Sequence, residues 1–396
     1  MKKHTWLILV SVWLLTLISV NQYFFCPQYQ FKAPQPFSGT NVYNPYEGVD
    51  FSGWKKCNFH THVKAWMGFT KGTSTSNAAR KLYESLGYDV YCISNYQQVD
   101  RNNSDEPNYL EAYEHGYGIL KNHQTVLGTP AVNWKDYLLP QSLVNKQHIL
   151  AILRKIDSVV VIINHPSNMN SFPPGDFTFL SGYDGIEIFP SGSLAAFDSA
   201  LSVGRPVFCA ANDDSHDMND SKFVGRNCTW LGASSVSKRD IMEALKSGRS
   251  YAMVVAYKEG ESFEEKIGRI KKGLPSLRAV TVQNDSLKVT VSDSAAIQFI
   301  GQGGKVVAIK EKCTSASYPI RPGDTYVRTR IFFYDGNEID LNPVFRYDGR
   351  IPENAIPPID KQKTFLFNLA GIAILLAVSI CSAIIFIRKR RRLRNS

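Results

Sequence analysis

Lys56-Cys57-Asn58-Phe59-His60-Thr61-His62 is the stretch on which the reading of this chain turns. Lys56 to Phe59 reads as a short strand, and residues i and i+2 of a strand share a face, so the imidazoles of His60 and His62 point the same way. Asp214-Ser215-His216 repeats that spacing after the apolar run Pro206 to Ala211, and Asn164-His165-Pro166 follows the run Val159 to Ile163. Three histidines and a carboxylate from separate strand ends, with a fourth histidine beside them, are a ligand set for zinc, manganese or iron. Neutral imidazole and carboxylate suit these ions and leave positions open for water.

Outward from these ends, further apolar runs appear at Tyr88 to Ile93, Thr125 to Leu127 and Gly185 to Phe189. Amphipathic segments such as Asn77 to Leu86, Asn145 to Lys155 and Lys238 to Ser247 lie among them. This alternation predicts an α/β fold with parallel strands, as a barrel or a doubly wound sheet, whose active site gathers at the strand carboxyl ends. From about Leu277 the texture changes to alternating strands, with Asp335-Gly336 as a hairpin turn signal.

Taken in order, Asn58 to His62, Gly87-Tyr88-Asp89-Val90 to Asn95, Asn164-His165-Pro166, Gly185-Ile186-Glu187-Ile188 and Asp214-Ser215-His216 resemble the successive motifs of the PHP (polymerase and histidinol phosphatase) superfamily, in its membrane-attached bacterial form with a small trailing β domain. The resemblance covers about Trp54 to Val255. It implies a distorted (β/α)7 barrel that hydrolyses phosphoesters with a metal-bound hydroxide. It also implies metal ligation by His60, His62, His165, Asp214 and His216, with the catalytic roles on Asp214, His216 and His165.

Three departures bear on the metal count. The second motif reads Ser94-Asn95-Tyr96-Gln97, so Tyr96 replaces a metal-binding histidine. In the third, Gly128-Thr129-Pro130-Ala131-Val132-Asn133 contains no bridging carboxylate. The acidic or histidine residue expected several positions after the His-x-His pair is missing from Val63 to Phe69. A reduced site of one or two divalent ions follows, one held by His60, His62 and Asp214, with His165 and His216 near a second. Glu187 is a candidate acceptor behind a ligand histidine. Glu114-His115, His123 and His148 fall in segments that read as helices or loops and are expected outside the site, and Lys64, Arg80 and Arg205 are expected on the solvated surface.

The chain has 396 residues, is 44% hydrophobic and 20% charged, and carries a net charge of +10. Collagen, coiled coil and disordered chains are excluded. Lys2, Lys3 and the tail Arg388, Lys389, Arg390, Arg391, Arg392 and Arg394 supply most of the excess, leaving a nearly neutral middle that argues against a nucleic-acid partner. Phe365 to Ile387 is long and apolar enough to cross a hydrocarbon core of about 30 Å, and Trp6 to Val20 reads as a signal anchor or signal peptide. Basic residues outside both runs predict cytoplasmic ends and an extracytoplasmic main domain, on the periplasmic side of a bacterial inner membrane. The expected organisation is an anchor (1–25), a linker (26–53), the metal-dependent domain (54–258), a β-rich domain (259–350), a linker (351–364), a transmembrane helix (365–387) and a basic tail (388–396). Most of the 7 cysteines read as buried thiols, with one disulfide allowed.

Two functions compete at this stage. One is an extracytoplasmic phosphoesterase whose partners are the lipid bilayer and a phosphorylated small-molecule or polymer substrate. The other is a binding or scaffold module that keeps the fold with reduced metal content. A transporter is disfavoured, since two flanking helices make no pathway.

Overall fold

A computed structural model describes residues 3–156 and 158–394 of the chain. Lys2, counted among the basic N-terminal residues, and tail residues 395–396 lie outside the described residues. The first half comprises α1 (Lys3–Tyr23), β1 (Asn41–Tyr43), β2 (Lys55–Asn58), α2 (Ser76–Ser85), β3 (Val90–Tyr91), β4 (Ala112–His115), β5 (Gln124–Leu127), α3 (Leu143–Leu153), β6 (Val160–Ile163) and β7 (Gly185–Phe189). Then follow α4 (Leu194–Ser202), β8 (Phe208–Ala211), β9 (Asn227–Leu231), α5 (Lys238–Lys246), β10 (Ser250–Val254) and α6 (Phe263–Lys272). The remainder is β11 (Leu277–Gln283), β12 (Ser286–Gly301), β13 (Lys305–Pro319), β14 (Tyr326–Phe333), β15 (Glu338–Leu341), β16 (Val344–Tyr347) and α7 (Lys361–Arg394).

The central helices start where the sequence supplies a cap. Thr75, Ser142, Ser193, Ser237 and Ser262 each accept a backbone N–H of the first turn of α2 to α6. Such caps are each worth about 1 kcal/mol. Ser142 with Asn145, and Ser262 with Glu265, close the cap reciprocally.

Strand pairing is divided between two sheets. The first runs β4-β5-β6-β7-β8, antiparallel at β4/β5 and β5/β6 and parallel from β6 to β8. The second has 11 strands and joins β3, β2, β9 and β10 to the C-terminal strands. Its continuity comes from β10 pairing antiparallel with β15, so the sheet runs straight across the expected boundary at 258/259. Two isolated parallel bridges, Tyr96 to Glu114 and Thr61 to Ser215, link the sheets. The expectation of parallel strands fails at β4/β5, β5/β6 and β2/β9, which are antiparallel. The Asp335-Gly336 turn does join the antiparallel pair β14 and β15, with Gly336 at φ 89°.

Every residue of β6 and β8 is buried, and their side chains alternate between two cores. Val160 and Ile162 of β6, with Phe208 and Ala210 of β8, belong to the core between the sheets. Val161, Ile163, Cys209 and Ala211 belong to the core under α3 and α4. These strands are therefore apolar throughout. The allowed disulfide does not form: the cysteines are all free thiols, most of them buried.

At the termini, α1 and α7 are long and apolar enough to cross a membrane by length and composition, with apolar windows Trp6–Tyr23 and Lys361–Lys389. They pack together. Trp13 Nε1 donates to Ser379 Oγ at 3.4 Å, and the rings of Phe24 and Phe367 lie 6.1 Å apart. At Gly371 a Cβ would stand 2.7 Å from Phe25, so the close approach needs glycine.

Candidate metal centre

Two strand ends are locked to each other by their asparagines. Phe59 N donates to Asn212 Oδ1 at 2.8 Å, and Asp213 N donates to Asn58 Oδ1 at 2.9 Å. The backbones then zip onward, with Asp214 N to His60 O at 2.9 Å and His62 N to Ser215 O at 2.8 Å. This register turns His60, His62 and Asp214 toward one point. Asp213 faces away and is consumed structurally, accepting Gly225 N, Arg226 N and Asn227 N. His165 and Asp214 have φ of 26° and 47°, which non-glycine residues avoid and which concentrates at functional sites.

His60 Nε2 lies 3.2 Å from Asp214 Oδ1 and 3.2 Å from Glu114 Oε1. His62 Nε2 lies 3.2 Å from Glu114 Oε2, 3.3 Å from Asp214 Oδ1 and 3.2 Å from His60 Nε2. The Glu114 Oε1 that meets His60 is also 3.0 Å from His123 Nδ1 and 3.2 Å from His165 Nε2. Two ligand groups result, His60 with His62 and Asp214, and His60 with Glu114 and His165. Glu114 Oε2, Asp214 Oδ1 and His123 Nδ1 are buried without an aligned hydrogen bond. A tetrahedral ion with ligands at about 2.0 to 2.1 Å separates its donor atoms by about 3.3 Å. The observed spacings are those of donors arranged around a shared cation, so the residues fit one.

Behind the ligands, Glu187 accepts from His165 N at 2.8 Å and places Oε1 3.2 Å from His60 Nδ1. Asn212 donates to the same Oε1 at 3.0 Å. Nδ1 of His60 is thereby occupied, which leaves Nε2 for the site. Asn164 Nδ2 donates to Glu114 Oε1 at 2.9 Å and orients that carboxylate.

The charges agree with a cation site. Burial disfavours a charged imidazole at His60, yet Asp214, Glu114 and Glu187 outweigh it and hold the pKa well above its ordinary value. Burial likewise opposes ionisation of Glu114, but His123 and His60 hold it well below the carboxylate range. The pocket thus keeps its carboxylates ionised and draws positive charge, which divalent ions would satisfy with the histidines as neutral ligands.

His216 stands at the rim. Its Nδ1 is 2.9 Å from the Asp214 carbonyl, 3.8 Å from Asp214 Oδ1, and its Nε2 is 3.2 Å from Tyr96 Oη. Tyr96 stacks on His62 at 4.4 Å between ring centroids. Its phenol is pushed above the ordinary value by burial and by Glu114 and Asp214, so it stays protonated and is no anionic ligand. Asn95, the other departure in that motif, accepts Val63 N at 3.0 Å.

The structure brings together His60, His62, His165 and Asp214, with His216 beside them, and it corrects two expectations. The carboxylate sought at Gly128 to Asn133 comes from Glu114 of β4, fully buried in a strand and not in a helix or loop. His123, at the start of β5, reaches the same carboxylate. The signal available in the sequence was Ala112-Tyr113-Glu114-His115, a strand-like run ending in a carboxylate and an imidazole. His115 is buried outside both ligand groups, and His148 instead meets the Tyr137 hydroxyl at 2.6 Å.

No protein-family model matches the sequence, and no curated protein matches it. Among solved structures the chain is similar to a two-domain protein containing a predicted PHP-like metal-dependent phosphoesterase from Bacteroides vulgatus, at 13% identity and a TM-score of 0.38 over 78% of this chain and 96% of that one. It is also similar to PsfC from Pseudomonas syringae, at 11% identity and a TM-score of 0.36 over 55% of this chain and 96% of that one. Likeness at this level says nothing about chemistry, which rests on the side chains.

Proposed function

We propose that this chain is a membrane-anchored, extracytoplasmic, metal-dependent phosphoesterase with a reduced form of a three-ion site. The observation that carries this reading is the position of Glu114 among four histidines, with His62 at its Oε2 and His60, His123 and His165 at its Oε1. A carboxylate so placed is the anion that lets two cations sit close together. His60, His62 and Asp214 with Glu114 would hold one ion, and Glu114, His123 and His165 a second. Divalent ions there supply Lewis acidity toward a phosphoryl oxygen and lower the pKa of water toward 7. Two divalent cations against the two carboxylates Glu114 and Asp214 leave a net positive pocket, complementary to a phosphoester anion.

The chain's own residues set the remaining roles. Glu187 and Asn212 hold His60 in one tautomer, and Asn164 fixes the Glu114 carboxylate. His216, at the rim with its pKa lowered to about 4 by burial and by His62, is neutral near pH 7 and available to accept a proton from the attacking water. The basic residues beyond both apolar helices support cytoplasmic ends and a main domain on the other side.

Elemental analysis of the full-length chain, purified with zinc or manganese supplied, is expected to find two ions, and bis(p-nitrophenyl) phosphate should be cleaved in a chelator-sensitive way. Absence of bound ion under those conditions would move the chain to the second reading, a binding module on a degenerate site. That reading is favoured by Tyr96, whose hydroxyl fills the space beside His216.

A further inference from the structure

The loops that follow the metal ligands carry apolar side chains into solvent. After His62, Met67 is 93% exposed and Phe69 is 87% exposed. Trp66 beside them, Met169 after His165, and Trp134 and Leu138 in the loop after β5 are also exposed. Trp66, Met67 and Met169 hold φ of 50°, 55° and 53°. That conformation costs bulky residues on the order of 1 kcal/mol each, and here no burial offsets it. Single exposed apolar residues need no explanation, but these are grouped. Trp66 and Trp134 meet edge to face at 5.9 Å, and Ile119 N donates to Leu138 O at 3.0 Å.

The same group holds the end of α1. Buried Gln22, in its last turn, donates to Leu139 O at 2.8 Å and accepts Leu139 N at 2.9 Å, while Tyr23 Oη donates to Pro140 O at 2.8 Å. The loop of Trp134 and Leu138 therefore stands at the level where the apolar helix ends. Charge agrees. Segments 63–71, 117–121 and 134–140 contain Lys64, Lys71, Lys121 and Lys135 against one carboxylate, Asp136. That carboxylate is buried and taken by Tyr117 N, Gly118 N and Gln141 Nε2. Tryptophan, exposed aliphatics and lysine without exposed acid make a surface suited to the interface of an anionic bilayer.

We propose that these loops seat in the interfacial layer of the bilayer that α1 and α7 cross, and that the metal centre acts on a phosphoester carried by a lipid of that bilayer. The substrate class rests on the phosphoesterase reading above, whereas the seating does not. Trp66 Nε1 donates to Tyr96 O at 2.8 Å, and Tyr96 stacks on His62, so a side chain in the headgroup layer is two contacts from a ligand. In the reaction water attacks phosphorus, the P–O ester bond breaks, and a water proton ends on the leaving alcohol.

The test uses the full-length chain with Trp6→Phe and Trp13→Phe, in vesicles of phosphatidylcholine and phosphatidylglycerol brominated near the carbonyl end of the acyl chains. At least a quarter of the remaining tryptophan fluorescence should be quenched, and Trp66→Phe with Trp134→Phe should abolish the quenching. Unquenched fluorescence overturns the seating. The same comparison in the native α1 background, with and without Trp66 and Trp134, guards against damage from the α1 changes. Substrate class is read with a phosphorus-labelled lipid extract presented as vesicles and with the same extract deacylated. Acylated lipid should turn over at least tenfold faster. Equal turnover, or cleavage of bis(p-nitrophenyl) phosphate with neither extract touched, overturns the lipid substrate. No turnover of any of the three overturns the phosphoesterase reading and the substrate class together, while the quenching result stands separately.

Discussion

Glu114 Oε1 lies 3.0 Å from His123 Nδ1, and the two residues come from the two arms of the hairpin β4–β5, folded back so that one carboxylate meets histidines from three different strands. Removing its charge should therefore affect both ions. Glu114→Gln is expected to lower bound metal from two ions to fewer than one by elemental analysis, whereas His123→Ala should lose only one. Full retention of metal in Glu114→Gln would refute the bridging role.

Glu187 touches no proposed ion and acts through His60. Glu187→Gln keeps the shape but weakens the hold on the His60 Nδ1–H, and such partners contribute about 10- to 100-fold in metal affinity. Competition with a chelator of known affinity should show a loss in that range at an almost unchanged melting temperature. Unaltered affinity would reduce Glu187 to a packing role.

Tyr96 can be tested by placing there the imidazole that the motif resemblance leads one to expect. Asn95→Asp with Tyr96→His retains an acceptor for Val63 N and places an imidazole next to His216. Metal content should rise above that of the parent chain. If Tyr96 only fills space, the variant should instead lose about 1 to 3 kcal/mol with unchanged metal, as large-to-small changes in packed sites do.

His148 gives a pH dependence separate from the centre. Burial, then Lys135 and Lys155, lower its pKa to about 4, and its Nδ1 meets the Tyr137 hydroxyl at 2.6 Å. An unfolded histidine titrates near 6.5, so the unfolded chain binds the proton first. The stability that His148 contributes is complete above pH 6.5 and is lost as the pH falls toward 4. Partial solvent access limits the effect to about 2 kcal/mol. Melting curves from pH 7 to 4 should fall less steeply for His148→Gln than for the parent chain; parallel curves would contradict the assignment.

The orientation proposed for the chain rests on its basic ends. A reporter fused after Ser396 should behave as cytoplasmic, and protease added to spheroplasts should reach the loop Gln97 to Asn108. Protection of that loop once the outer membrane is opened would reject the orientation.

Local chemistry was legible in the sequence because it depends on near neighbours. The pairs His60/His62 and Asp214/His216 stand out by their spacing just past the ends of β2 and β8, although Asp214, at φ 47°, has left the strand conformation. The amphipathic segments Asn77 to Leu86, Asn145 to Lys155 and Lys238 to Ser247 mark α2, α3 and α5, and the buried runs at β6 and β8 follow from continuous apolar character. Glu114 and His123 were not legible, since their place depends on β4 and β5 turning antiparallel beside β6, a choice among pairings that no local pattern encodes. The division into two sheets is of the same kind, because β10 bonds both to β9 and to β15, 88 residues further on where Ala252 meets its partner Asp340 in register. Periodicity and spacing act over a few residues, and they determined which strand ends carry histidine. Only the tertiary packing, by choosing which strands pair, decided that a buried carboxylate from an unmarked hairpin would stand between them.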